Sequence, residues 1–219
     1  MNRTKGIIFD LDGVIVDTAK FHYLAWRKMA NDLGFDITLE QNEKLKGVSR
    51  VNSLQQILGW GNKTVTETEF EELMSSKNDD YLARIAHMDD DDLLPGVKKS
   101  LDYLTQNNVP FALGSASKNA RPILKGLKIE QRFKAIVDGN DVSKAKPDPE
   151  VFLIAAEKLG IPPQECVVFE DSVAGIEAAN AAGMVSVGIG DKEILKEADY
   201  NFADFTEIDD KFLEQIVRK

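Results

Sequence analysis

Gly6-Ile7-Ile8-Phe9-Asp10-Leu11-Asp12-Gly13-Val14-Ile15-Val16-Asp17-Thr18 is the stretch whose reading decides the fold. Its opening residues are apolar on both faces, the pattern of a parallel strand covered by helices. Two aspartates then stand two positions apart, and a glycine follows. Positions i and i+2 of an extended chain share a side, so Asp10 and Asp12 project together if the strand continues. Neighbouring carboxylates repel unless a positive group lies between them. The chain must therefore bring a metal ion, a lysine, or both to this point. Taken alone, Asp10 could cap a turn and Asp12-Gly13 could be a hairpin turn. An EF-hand loop is excluded, because it needs glycine at its sixth position and glutamate at its twelfth. Counted from Asp10, glycine comes fourth and Phe21 twelfth.

Beyond Asp17 the pattern changes. Phe21, Ala25, Met29 and Leu33 recur every four residues, the stripe of a helix, with His22 and Trp26 beside it and Gly34 to end it. Thr38-x-x-Gln41 and Thr66-x-x-Glu69 fit capping boxes that open new helices. Residues 49–58 read as helix with Val51, Leu54, Ile57 and Leu58 as the apolar face, and 67–87 as a long helix. Nothing from 17 to 88 reads as a strand. The acids at 89–92 read as a solvated linker. Pro95-Gly96 punctuates the chain, and strands and helices alternate after it. Helices are expected at 97–106, 119–127, 148–159 (capped by Asp148, with Pro149 first), 173–182 and 209–217. Strands are expected at 109–114, 135–137, 166–169 and 185–189. Such alternation implies a parallel sheet. The expected fold is α/β: a Rossmann-like parallel-sheet core flanked by helices, residues 1–16 and 89–219, with an all-helical cap inserted at 17–88.

Composition narrows the function classes. A net charge of −10 opposes nucleic-acid binding, which needs a positive footprint. It leaves room for an anionic substrate held by a local cluster of Lys and Arg. No apolar run approaches membrane-spanning length. No signal-like segment is apparent and the one cysteine, Cys166, suits a reducing compartment, so a cytoplasmic protein is expected.

In open α/β sheets ligands bind beyond the carboxyl ends of the strands. There the chain carries Asp10 and Asp12, then Ser115-Ala116-Ser117, then Lys146 in a loop, then Glu170-Asp171. Each has a bland reading: helix caps for the serines, a surface lysine, an acidic helix start. Converging on one rim, they compose an oxygen-ligated Mg²⁺ site next to a phosphate site.

Asp10-Leu11-Asp12-Gly13-Val14, Ser115, Lys146-Pro147 and Glu170-Asp171-Ser172 resemble, in order, the four motifs of the haloacid dehalogenase-like phosphotransferases. Asp17-Thr18, His22, Trp26, Leu45-Lys46-Gly47-Val48-Ser49-Arg50, Ser53-Leu54 and Ser115-Ala116-Ser117-Lys118-Asn119 resemble the sugar-phosphate mutases of that family. The resemblance implies that Asp10 becomes an aspartyl phosphate while Asp12 serves as general acid and base. It implies Mg²⁺ held by Asp10, Glu170, Asp171 and the main-chain carbonyl of Asp12. Ser115, Ala116 and Lys146 would bind the transferring phosphoryl group and Arg50 the distal one. His22, Trp26, Lys46, Gly47, Val48, Ser49, Ser53, Lys77, Ser117, Lys118 and Asn119 would contact the substrate, with His22 orienting Asp12. The implied reaction interconverts β-glucose 1-phosphate and glucose 6-phosphate through β-glucose 1,6-bisphosphate, on a monomer whose partner is a small sugar phosphate. A capped sugar-phosphate phosphatase is the alternative, and a non-catalytic phosphosugar-binding regulator a third. Residue by residue the cap also reads plainly: Trp26 as core, His22 as structural, Lys46 and Arg50 as a solvated face.

Overall fold

The computed structural model describes residues 5–45, 48 and 50–217. In chain order, strand β1 (Gly6–Phe9) is followed by helices α1 (Ala19–Asp32), α2 (Leu39–Glu43), α3 (Arg50–Trp60) and α4 (Glu67–Ile85). Then come α5 (Val97–Gln106), β2 (Phe111–Gly114), α6 (Ala120–Gly126), β3 (Ala135–Val137), α7 (Glu150–Leu159), β4 (Cys166–Glu170), α8 (Val173–Ala181), β5 (Val185–Ile189), β6 (Tyr200–Phe202) and α9 (Asp210–Val217). The chain forms two compact units, one joining Met1–Asp17 with Met88–Lys219, the other Thr18–His87. Among the described residues no helix is long and apolar enough to cross a membrane.

The first unit is built on a six-stranded sheet of order β3-β2-β1-β4-β5-β6, parallel throughout. Strands β1, β2, β4 and β5 are almost wholly buried because both faces are covered. Ile8, Ala112 and Val168 pack with Val151, Phe152, Ala155 and Ala156 of α7 and with Ala178 and Ala179 of α8. Phe9 points the other way, and its ring meets those of Phe111, Phe133, Phe169 and Phe205. Strand order reverses at β1, which puts the switch point of the sheet between β1 and β4. Register then places the polar rim. Phe9 pairs with Phe169 and with Leu113, so Asp10 and Glu170 follow side by side and Ser115 comes two residues after Leu113.

The strand ends at Phe9, so Asp12 lies in a turn. Ile15 and Val16 donate their N–H groups to the Leu11 carbonyl, and Gly13 donates to that of Val16. Gly13 has φ +78°, and the Asp171 carboxylate presses so close that a Cβ at Gly13 would overlap it. Both facts demand glycine. The acids at 89–92 form a short 3₁₀ turn, with Asp89 accepting from the Asp91 N–H.

The second unit is helical among its described residues. Thr38 and Thr66 each accept from the N–H three residues on, and Gln41 and Glu69 return a bond to the cap. Trp26, Met29, Ala30, Ile37, Leu45, Leu54, Ile57 and Leu58 form its core. Val51, expected on the apolar face of α3, is instead 44% exposed; it stands in the opening turn, ahead of the buried Ser53, Leu54, Ile57 and Leu58. Two other expectations are corrected in the first unit. Pro149 occupies the cap position of α7, and Asp148, one residue earlier, accepts the Glu150 N–H with its side chain. Strand β6 was not anticipated: three partly exposed residues carry no usable alternation.

Candidate active site

Asp10, Glu170 and Asp171 bring carboxylate oxygens within 4.8 Å of one another. Lys146 answers the charge. Its Nζ donates to Asp10 Oδ1 at 2.5 Å and to Glu170 Oε1 at 2.6 Å. Residues 136 positions apart in the chain thus meet at the rim of the sheet. The ammonium also lies 4.7 Å from the ring centre of Phe152 on α7. Burial works against the Lys146 charge, but Asp10 and Glu170 outweigh it, so this lysine titrates above the ordinary lysine value.

The other Glu170 oxygen accepts from the N–H and hydroxyl of Ser172, at 2.7 and 2.9 Å. Ser172 in turn caps α8 by accepting from Gly175 N. A Cβ at Gly175 would overlap the Glu170 carboxyl group. The missing side chain lets a carboxylate rest on the first turn of a helix, where the dipole favours it. Burial, only partly offset by Lys146, raises the Asp10 carboxyl above the usual carboxylate range. The Asp171 residue is exposed as a whole, yet its carboxyl end faces the buried acids. Desolvation there, then Asp10 and Glu170, push it up as well. Hard carboxylate oxygens, close together and short of positive charge, suit Mg²⁺ by their chemistry. Asp12 lies outside this cluster of side chains.

The loop after β2 is also a built feature. Ser115 Oγ accepts from Ser117 N at 3.1 Å, and Ser117 Oγ from Asn119 N at 3.3 Å. The hydroxyls therefore shape the turn ahead of α6 but do not cap it: the cap position is Asn119, without a side-chain cap bond. Gly139 backs this turn: its N–H donates to Ser117 O, and a Cβ there would strike Ala116 O. Ala116 and Lys118 are exposed, while Ser117 and Asn119 are half-buried.

In the helical unit the structure assembles a group the sequence reading had named only one by one. Lys77 is 3% exposed, and its Nζ lies 2.8 Å from His22 Nδ1. It lies 4.4 Å from the Trp26 ring and 5.0 Å from that of Tyr81. Burial, then the charge of Arg50, lowers Lys77 to about 7. Burial, then Lys77 and Arg50, lowers His22 to about 3, so the ring is neutral at ordinary pH. With Lys77 donating to Nδ1, the ring proton belongs on Nε2. Arg50 is half-buried and donates to Asn78 Oδ1 at 2.7 Å. Trp26 is core, at 3% exposure, rather than an open platform for a sugar. Ser53 is buried, and its hydroxyl lies 3.5 Å from the Val48 carbonyl. Lys46, Gly47 and Ser49 lie outside the described residues. Asn78, Tyr81, Phe152 and Gly175 were missed; only Gly175, three residues after an N-cap serine, carried a signal.

A haloacid dehalogenase-like hydrolase family profile matches residues 4–183. A β-phosphoglucomutase of Bacillus subtilis is 44% identical over 197 residues, 89% of this chain and 87% of its own. A fructose-1-phosphate phosphatase of Escherichia coli is 30% identical over 85% of this chain and 97% of its own. A crystal structure of β-phosphoglucomutase from Clostridium difficile superposes with a TM-score of 0.87 at 42% identity, covering 97% of this chain and 96% of that one. The chain belongs to the haloacid dehalogenase-like hydrolase family.

Proposed function

We propose that this chain is a Mg²⁺-dependent mutase that interconverts β-glucose 1-phosphate and glucose 6-phosphate through β-glucose 1,6-bisphosphate. One observation carries this reading over hydrolysis: proteins named β-phosphoglucomutase match at 42–44% identity over nearly the whole chain, cap segment included. The rim supplies the chemistry.

Asp10 attacks phosphorus, forming an Oδ–P bond as the bond to the sugar oxygen breaks. That splits one difficult transfer into two easier ones. Asp12 gives its proton to the departing oxygen. It then takes the proton of the acceptor hydroxyl as that oxygen attacks the aspartyl phosphate. Lys146, already beside Asp10, moves its charge onto the phosphoryl oxygens, and Ser115 and Ala116 bind the same oxygens. Mg²⁺, held by Asp10, Glu170, Asp171 and the Asp12 carbonyl, would neutralise charge on the phosphoryl oxygens and favour the ionised carboxylates.

A mutase must also hold the phosphate that is not reacting. Arg50 is the residue we assign to it, since its planar fork suits a phosphate. The alternative is hydrolysis of a sugar phosphate by the same rim, favoured by relatives named phosphatases. The protein mixed with β-glucose 1-phosphate, Mg²⁺ and a trace of the bisphosphate should yield glucose 6-phosphate well in excess of inorganic phosphate. Stoichiometric inorganic phosphate would reject the mutase reading. Arg50→Ala should slow isomerisation by roughly 10²-fold or more. Phosphorylation of Asp10 by a small acyl phosphate, which has no distal phosphate, should be nearly unchanged. An equal loss in both reactions would remove Arg50 from that role.

A further inference from the structure

Lys146 sits in the segment between β3 and α7, which contains neither helix nor strand. Its backbone N–H groups therefore need partners from elsewhere, and one side chain supplies several. Glu150, the first residue of α7, accepts from Ser143 N at 2.9 Å, Lys144 N at 2.6 Å and Ser143 Oγ at 2.9 Å. Those bonds, that of the Lys144 N–H first, hold its carboxyl below the ordinary glutamate value. Asp148 adds a second tie. It accepts from Glu150 N at 3.1 Å, pairs with Lys144 at 3.1 Å, and donates its own N–H to Ala145 O. The loop is thus closed at its base, with Lys146 at its apex aimed between Asp10 and Glu170. The same helix carries Phe152, on which the Lys146 ammonium rests.

We propose that Glu150 is a positioning residue for Lys146: by holding the Ser143–Lys144 backbone on the start of α7, it sets where the ammonium can reach. The proposal rests on the assignment of Lys146 to the transferring phosphoryl group. The physical stake is that displacing a charged group by about 1 Å in a phosphoryl-transfer site can cost on the order of 10²-fold in rate.

The test is Glu150→Ala, read in two ways. The Lys146 side chain is only 9% exposed and is ion-paired, so a water-soluble acylating reagent should label it slowly in the native protein, as followed by peptide mass spectrometry. In Glu150→Ala its labelling should rise roughly tenfold or more as the loop opens locally. Lys134 is the control, because its Nζ donates to Leu159 O at the far end of α7 at 2.8 Å; its labelling should not change. Phosphoenzyme formation from a small acyl phosphate should fall by roughly 10–100-fold. Continued protection of Lys146 with an unchanged rate would overturn the proposal. A parallel rise at Lys134 would overturn it too, by showing that α7 had loosened as a whole. A native protein that never forms a phosphoenzyme would instead overturn the catalytic reading, and the labelling result would stand apart from it.

Discussion

Asp10→Asn is expected to abolish the phosphoenzyme. No protein carrying the mass of one added phosphoryl group should appear after incubation with Mg²⁺ and an acyl phosphate, and turnover of β-glucose 1-phosphate should drop by at least about 10⁴-fold. The substitution is close to isosteric, but an amide oxygen is a poor nucleophile and cannot become an aspartyl phosphate. The fold should survive. Asp10 is a carboxyl whose buried surroundings favour the neutral form, so replacing it removes a charge that the native apoprotein stabilises poorly. Lys146 keeps its second partner, Glu170. The sign follows from linkage: an acid whose folded value is raised costs stability as pH climbs from its unfolded value through its folded one. In chelator near neutral pH, Asp10→Asn should therefore melt no lower than the native protein. Mg²⁺ should raise its melting temperature less than that of the native protein, since one of three clustered carboxylates is gone. Full turnover by the variant would place the nucleophile elsewhere.

The parts of this site that were legible in the sequence share a physical cause. Strand β1 was readable because burial on both faces leaves an unbroken apolar run. The two acids just beyond it were readable as a site only jointly with Ser115, Lys146, Glu170 and Asp171, because each alone has an ordinary turn reading. The Thr38 and Thr66 caps were readable because a capping box is local, complete within four residues. What stayed hidden depends on chain crossings. That Asp10 and Lys146 converge was expected from the strand ends and the motif resemblance, but their direct contact depends on the register of β1 and the path into α7, which no spacing announces. Lys77 looked like one polar residue among many on α4. Its burial against Trp26, Tyr81 and His22 is set by how α1 and α4 pack, and so is its lowered pKa. Glu150 escaped because a first-turn acid is ordinary in any helix. Only the backbone it holds makes it distinctive. Val51 shows the opposite error: helical periodicity identifies a face but not how far along it the core extends.

Lys146→Met separates the two jobs that geometry gives this lysine. Methionine keeps an unbranched apolar stem over Phe152 and deletes the charge. Asp10 and Glu170, 7% and 1% exposed, then lose the ammonium that lies 2.5 and 2.6 Å from them. Removing one partner of a buried ion pair costs on the order of 3–5 kcal/mol, so in chelator at neutral pH the variant should be markedly less stable to denaturant. That deficit should shrink as pH falls through the carboxylate range. The orphaned Asp10, its folded value driven further up, then takes a proton, while the native lysine loses a charge that offsets its burial. Mg²⁺ should restore part of the stability, because a divalent cation can neutralise the same carboxylates. It should not restore phosphoryl transfer, because a cation at the carboxylates leaves the place of the Lys146 ammonium on the phosphoryl oxygens unfilled. Native stability in chelator would mean that the ion triad contributes nothing to the fold. Recovery of both stability and activity with Mg²⁺ would make Lys146 a structural counter-charge and remove it from catalysis.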